Sequence, residues 1–212
     1  MNSHYGNHWV DENGNWLNQT EMYNGVVDVS STAGQMPRSV GLAFASKLYR
    51  ENPALKNQKN FSNRGNEVCF ATIGDASTSQ GMFFETINAA GVLQIPLVVS
   101  VWDDGYGISV PIEYQTTKGS ISEALKGFER GEKEGIEIIK VKGWDYPGLV
   151  EAYQKAARIA RDEHVPVLVH VYEVTQPQGH SASGSHERYK SRERQEWEHQ
   201  FDCNLKFKEW IL

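Results

Sequence analysis

Four short apolar runs, separated by segments with helical periodicity, constrain the fold of this chain more than any other feature. The runs lie at residues 67–73, 96–102, 136–141 and 166–174. Each is apolar almost throughout, which is typical of strands buried on both faces of a parallel sheet. Helix-like segments lie at 38–50, 80–93, 122–130 and 147–163. This alternation predicts an α/β fold with a mostly parallel sheet and helices on both faces.

The composition excludes several classes of protein. A net charge of −6 over 212 residues argues against a general nucleic-acid binder, because phosphate backbones need a cationic surface. The positions of Cys69 and Cys203 give no disulfide framework or zinc spacing, so we expect a reducing compartment, the cytoplasm. No apolar run approaches about 18 residues and the N-terminus has no apolar signal region, so we expect no membrane span.

Acidic residues follow the first two strands, at the point where each strand ends. Asp75 follows the first run, Asp103 and Asp104 follow the second, and the fourth leads to His180. Ligands of open parallel sheets bind beyond the carboxyl ends of the strands, so we expect these side chains at one edge. Two carboxylates and a carbonyl from the Gly105-Tyr106-Gly107 turn suit Mg²⁺ or Ca²⁺. Helix caps and turn residues are the alternative. No P-loop or GxGxxG phosphate motif is present.

A long motif at residues 74–109 resembles the α-type half of the E1 component of 2-oxo acid dehydrogenases. It is GDASTSQGMFFETINAAGVLQIPLVVSVWDDGYGIS. The family shows GDGA-x-x-x-G-x-x-x-E-x-x-N-x-A, followed by E-N-N-x-Y-x-I-S. Shorter blocks agree in order at residues 4–6 (HYG), 30–41 (SSTAGQMPRSVG), 143–145 (GWD), 179–183 (GHSAS) and 189–191 (YKS). The resemblance covers roughly residues 4–195, and the branched-chain members are the nearest.

The resemblance implies a thiamine-diphosphate-binding fold and a role for each matching residue. Mg²⁺ would be bound by Asp75, Asp104 and the Tyr106 carbonyl. The cofactor would be contacted by Ser30, Thr32, Gly74, Asp75, Ala76, Ser77, Asp104, Tyr106 and His180. His180 would also be catalytic, near the diphosphate and the reacting carbon. Two features depart from the family: Ala76 replaces a glycine, and Asp103-Asp104 replaces an asparagine pair and adds negative charge beside the diphosphate.

The resemblance also implies an activity and partners. The reaction would be oxidative decarboxylation of a 2-oxo acid, with 2-oxoisovalerate expected, and reductive acylation of lipoyl groups on the E2 protein. In the family, the glutamate that activates the cofactor comes from a β-type half, and no acidic residue here matches it. We therefore expect half an active site, a fused or separate β-type partner, and a homo- or hetero-oligomer. The alternatives are a pyruvate or acetoin dehydrogenase α-type half, a transketolase-like half, or a non-catalytic assembly module with a degenerate cofactor site.

Three segments are predicted along the chain. Residues 1–30 form an irregular segment that packs on the domain or on a partner, residues 31–191 form the cofactor-binding domain, and residues 192–212 form a C-terminal helical segment. Because the start is irregular and the C-terminal segment has no obvious finish, we expect a fragment of a longer chain or one subunit of an obligate complex. Ser181 follows His180 in a loop where animal family members are phosphorylated, and a phosphate there would repel the diphosphate.

Overall fold

A computed structural model of the chain describes residues 8–22, 24–26, 30–132, 134–180 and 186–212. The His4-Tyr5-Gly6 block and Ser181 lie outside these ranges. Within them, no helix combines the length and the apolar character needed to cross a membrane.

The strands form one parallel sheet and one small ribbon. In chain order the strands are β1 (Cys69–Gly74), β2 (Leu97–Trp102), β3 (Tyr106–Gly107), β4 (Val110–Pro111), β5 (Glu137–Lys142) and β6 (Val167–Tyr172). The order in the main sheet is β1-β2-β6-β5, and every neighbouring pair is parallel. Strands β3 and β4 pair antiparallel outside this sheet. All four long strands therefore point their carboxyl ends to the same edge.

Six α-helices accompany these strands in the part of the chain that the structure describes. They are α1 (Gln35–Glu51), α2 (Gly81–Leu93), α3 (Ile121–Ala124), α4 (Tyr146–Arg158), α5 (Arg192–Gln200) and α6 (Cys203–Ile211). Helix α4 continues into a wider π-helical turn at Ile159–Glu163. The predicted single helix at 122–130 was wrong in detail, since α3 ends at Ala124 and a separate 3-10 turn covers Lys126–Phe128.

The core lies on both faces of the sheet, as the continuous apolar runs predict. Neighbouring residues of a strand point to opposite faces. Val99 of β2 accordingly packs in the cluster that contains Phe83 of α2, and Val98 packs in the cluster that contains Ala156 of α4. Both residues are at most 2% exposed. The predicted α/β fold with a parallel sheet is confirmed.

A conservative truncation in α2 tests this packing. Ile87 is 2% exposed in the cluster on the α2 face, whereas Val92 of the same helix is 62% exposed. We expect Ile87→Val to lower the free energy of unfolding by about 0.5–1.5 kcal/mol, because a buried methylene is lost. Val92→Ala is the matched control, with an expected change below about 0.5 kcal/mol. Equal changes in urea-induced unfolding would contradict the assigned helix face.

Candidate functional site

Backbone hydrogen bonds fix the acidic turns to neighbouring strand ends. The Asp75 N–H donates to the carbonyl of Trp102, the last residue of β2, at 3.0 Å. The Asp103 N–H donates to the carbonyl of Val171 in β6 at 2.9 Å, and the Val174 N–H donates back to Asp103 at 2.9 Å. The turns after β1, β2 and β6 therefore meet at the carboxyl edge of the sheet, where the sequence predicts them.

Asp75 is a buried carboxylate with an unused oxygen. It is 3% exposed and precedes a short 3-10 turn without capping that turn through its side chain. Its Oδ2 is buried and accepts no hydrogen bond from any residue that the structure describes. Burial, and then the charges of Asp103 and Asp104, raise the pKa of Asp75 to about 7. This oxygen therefore needs a proton or a cation.

Asp104 lies in the same acidic cluster and is 7% exposed. Its Oδ1 accepts a hydrogen bond from the Tyr106 N–H at 3.2 Å. Burial raises the pKa of Asp104, although the Tyr106 N–H and the charges of Lys190 and His180 partly offset that rise. The Asp104 carboxylate can therefore still bind a cation in the cluster that it shares with Asp75.

Asp103 is already occupied by protein groups. Its Oδ1 accepts a hydrogen bond from the Gly105 N–H at 2.8 Å, and its Oδ2 lies 2.8 Å from Nε2 of His170. His170 is 2% exposed, and its Nδ1 lies 3.0 Å from the hydroxyl of Ser122. Of the two acids that replace the family's asparagine pair, Asp103 is therefore directed to a buried histidine.

The other predicted residues lie around this cluster to different degrees. Gly74 ends β1, and an added Cβ there would meet no atom within 4 Å. Ala76 approaches the turn after β2, because a Cβ on Gly107 would lie 2.8 Å from the Cβ of Ala76. Ser77 is half-buried in the 3-10 turn after Asp75. His180 is exposed, and its charge acts on Asp104.

Ser30 and Thr32 are linked to the sheet edge only indirectly. Both are exposed in the turn that leads into α1. Gln35, at the start of α1, donates to the carbonyl of Thr72 in β1 at 2.9 Å. This bond places the beginning of α1 against the carboxyl half of β1. Within the described ranges, neither Ser30 nor Thr32 makes a hydrogen bond to the acidic cluster.

Three residues near the site were missed at the sequence level. Lys190 Nζ lies 2.7 and 2.8 Å from the two carboxylate oxygens of Glu198, and both side chains are 1% exposed. Arg194 donates to the Asp104 carbonyl at 2.7 Å and to Glu198 Oε1 at 2.8 Å. Arg194 and Glu198 are four residues apart in α5 and share one face of the helix, which is the signal that could have paired these two, whereas Lys190 lies before the helix.

The donor set fits a hard divalent cation. Asp75 and Asp104 offer carboxylate oxygens, which Mg²⁺ prefers, and Mg²⁺ commonly uses one or two carboxylates with water and phosphate oxygens. Within the described ranges, no three His, Cys, Asp or Glu side chains are placed to hold a metal together. A third ligand would therefore be a backbone carbonyl, a phosphate or water.

The fold and the site together define the class of protein: an α/β protein whose parallel sheet has buried acidic side chains at the edge where its strands end. The family model for the dehydrogenase E1 component matches residues 1–212. The chain therefore belongs to the dehydrogenase E1 component family, and the resemblance found in the sequence is confirmed.

Relatives include alpha subunits named for two different acids. The chain is 26% identical over 178 residues to the pyruvate dehydrogenase E1 component subunit alpha of Rickettsia prowazekii, which covers 84% of this chain and 48% of the relative. It is 27% identical over 188 residues to the 2-oxoisovalerate dehydrogenase subunit alpha of Bacillus subtilis, which covers 88% of this chain and 50% of the relative. The chain thus spans about half the length of these curated relatives.

A solved structure supports the fold alone. Transketolase from Campylobacter jejuni aligns with a TM-score of 0.52 at 16% identity, over 69% of this chain and 20% of that one.

Proposed function

We propose that this chain forms the α-type half of a thiamine-diphosphate- and Mg²⁺-dependent E1 component, which acts in oxidative decarboxylation of a 2-oxo acid. The observation that carries the proposal is the unpartnered, buried Oδ2 of Asp75 next to Asp104 at the carboxyl edge of the sheet. Family membership supports the same function. The alpha-subunit relatives support it at the level of 2-oxo acid dehydrogenases.

In this proposal the metal is held by oxygen atoms of two turns. Asp75 and Asp104 supply carboxylates, and Tyr106 supplies its carbonyl. The cation would bind the Asp75 oxygen that now lacks a donor and would offset the mutual repulsion of the acidic cluster. Asp103 would stay outside the ligand set, because His170 and Gly105 already occupy its carboxylate.

The cofactor-binding residues have separate proposed roles. Gly74, Ala76 and Ser77 would border the diphosphate at the turn after β1, and Ser30 and Thr32 would line the ring end of the cofactor. His180 would hold or donate a proton close to Asp104 and the reacting carbon. When bound, thiamine diphosphate supplies a nucleophilic carbon and an electron sink for loss of CO₂.

The proposed complex needs further proteins. A β-type E1 half, fused or separate, would supply the glutamate that activates the cofactor, and a lipoyl-bearing E2 would accept the acyl group. Because no acidic residue of this sequence matches that glutamate, we expect little or no turnover from the chain alone. Residues 31–191 would form the cofactor-binding domain, residues 1–30 would pack on it or on a partner, and residues 192–212 would form a C-terminal helical segment.

Two acids remain as proposed substrates. The GHSAS and YKS blocks at 179–183 and 189–191 resemble the branched-chain type, so 2-oxoisovalerate is the first proposal. The pyruvate-type relative has 26% identity against 27% for the 2-oxoisovalerate-type relative. Pyruvate is therefore the second proposal.

Calorimetry tests the proposed cofactor binding, and a decarboxylation assay tests the proposed substrate. The chain is combined with a β-type half, and thiamine diphosphate is titrated with and without Mg²⁺. We expect binding only when Mg²⁺ is present, followed by CO₂ release that is faster from 2-oxoisovalerate than from pyruvate. No binding in the assembled protein would overturn the proposal and favour a non-catalytic assembly module. A preference for pyruvate would change the substrate alone.

A further inference from the structure

The turn that carries Asp104 and Tyr106 is contacted by a helix far away in sequence. Arg194 of α5 donates from its guanidinium to the main-chain carbonyl of Asp104 at 2.7 Å. The central carbon of this guanidinium, Cζ, lies 5.5 Å from the centre of the Tyr106 ring. Arg194 thus contacts two residues of the proposed metal site without offering an oxygen to a metal.

Arg194 is itself fixed by a buried ion-pair network. Its Nε donates to Glu198 at 2.8 Å, and Glu198 is completely buried. Glu198 is also bound by Lys190 through both carboxylate oxygens, and Lys190 Nζ lies 5.2 Å from the Tyr106 ring centre. The Arg194 side chain is 27% exposed, so its position depends on these contacts more than on burial.

The contacted turn has a backbone that needs external support. Ile108 has a φ of 60°, which is uncommon for a β-branched residue, and Gly105 has a φ of 78°. The Ile108 conformation persists only when neighbouring contacts hold it, whereas glycine adopts a positive φ without steric cost. Inside the turn, the Gly105 and Tyr106 N–H groups donate to the side chains of Asp103 and Asp104. These two amides therefore report whether the turn is closed.

We propose that Arg194 is a positioning residue for the proposed metal site. It clamps the Asp104 carbonyl and the Tyr106 ring against the Lys190–Glu198 pair, and so keeps the Asp104 carboxylate and the Tyr106 carbonyl where a cation can use them. The assignment of a metal rests on the proposed function, whereas the clamp itself is a property of the chain.

Hydrogen exchange tests the clamp without any ligand. In Arg194→Ala, Glu198 keeps its two contacts with Lys190, so the fold should persist. We expect exchange of the Gly105 and Tyr106 amides to rise at least about tenfold, while the Val99 amide in β2 stays unchanged. Arg192→Ala is the matched control on the same helix, since Arg192 is 88% exposed and pairs with the exposed Glu196. Exchange at Gly105 and Tyr106 equal to the control would overturn the clamp.

A second outcome would also overturn it. If all three amides accelerate together in Arg194→Ala, the residue supports general stability and not the turn. Should that variant fail to fold, Arg194→Lys keeps the charge and the stem but lacks the fork that reaches two acceptors. We then expect partial loss of protection at Gly105 and Tyr106, and full protection would reject the clamp.

Metal binding separates this inference from the proposed function. With thiamine diphosphate present in the assembled protein, we expect Arg194→Ala to weaken Mg²⁺ binding about 10–100-fold, as loss of a group that orients a metal ligand typically does. Ile87→Val serves as a destabilised control that leaves Mg²⁺ affinity unchanged. An unchanged affinity in Arg194→Ala contradicts positioning, whereas absence of binding by the unmodified protein contradicts the proposed function and leaves the exchange result to decide the clamp.

Discussion

Asp75→Asn is expected to make the metal-free chain more stable at about pH 8. The pKa of Asp75 rises from 3.8 to about 7 in the folded state, because burial and the charges of Asp103 and Asp104 oppose its ionisation. Each pKa unit corresponds to about 1.4 kcal/mol, so an ionised Asp75 costs up to about 4 kcal/mol. A neutral amide of similar shape avoids that cost, although it leaves polar atoms that need partners.

The pH dependence of this effect has a defined sign. Because the folded-state pKa lies above the unfolded value of 3.8, the contribution of Asp75 is fully favourable below 3.8 and is lost as the pH rises through about 7. The difference in unfolding free energy between Asp75→Asn and the unmodified chain should therefore grow across that window and level off above it. Urea-induced unfolding at several pH values, with EDTA present, measures this difference.

The same substitution should abolish the response to Mg²⁺. A cation at 100 times its dissociation constant stabilises the chain that binds it by about 2.7 kcal/mol, and the variant lacks the carboxylate that would bind it. Asp162→Asn is the matched control, because Asp162 is exposed and remote in sequence from the acidic turns. A variant that loses stability at every pH, or that still responds to Mg²⁺ as the control does, would show that Asp75 has no such role.

Glu198→Gln is expected to destabilise the chain by about 3–5 kcal/mol. Lys190 and Glu198 are each 1% exposed, and removal of one charge leaves the other buried without compensation. The effect includes Arg194, which also binds Glu198. Thermal and urea-induced unfolding would both report the loss.

Helix α5 provides its own control for this result. Glu196 pairs with Arg192 at 2.8 Å, but both side chains are more than half exposed, at 65% and 88%. Exposed pairs contribute between about 0 and 1 kcal/mol, so Glu196→Gln should change stability very little. Comparable losses in the two variants would mean that burial does not govern the Lys190–Glu198 pair. A Lys190→Met and Glu198→Leu double variant should recover part of the lost stability, because no unpaired charge then remains buried in that pair.

The sequence predicts the sheet well, because a strand that is buried on both faces needs apolar residues at nearly every position. Val98 and Val99 face opposite clusters, so apolar residues are favoured at both positions, and the run is apolar except for Ser100. The acidic turns were predictable for a similar reason, since parallel strands must bring their carboxyl ends together. The metal-binding, cofactor-binding and catalytic roles of the site residues, from Asp75 and Asp104 to Ser30, Thr32 and His180, stay predictions.

The network beside the site could not be recognised from composition. The segment RERQEWEHQ contains mostly charged and polar residues, which is typical of a solvated helix, yet Glu198 within it is completely buried. Its partner Lys190 lies before the helix, and the atom that Arg194 contacts is a main-chain carbonyl 90 positions away. Every residue has a main-chain carbonyl, so residue types do not show which carbonyl accepts a hydrogen bond. Only the fold shows it.

The position of β6 between β2 and β5 has a consequence for how the chain acquires its structure. During synthesis, β2 and β5 both leave the ribosome before the strand that joins them, and neither has its inner neighbour until Val167–Tyr172 emerges. Such pairing between distant segments closes large loops and is therefore slow. A nascent chain halted before residue 167 would leave β2 and β5 without the strand that pairs with both, and unpaired strand edges favour aggregation or chaperone capture.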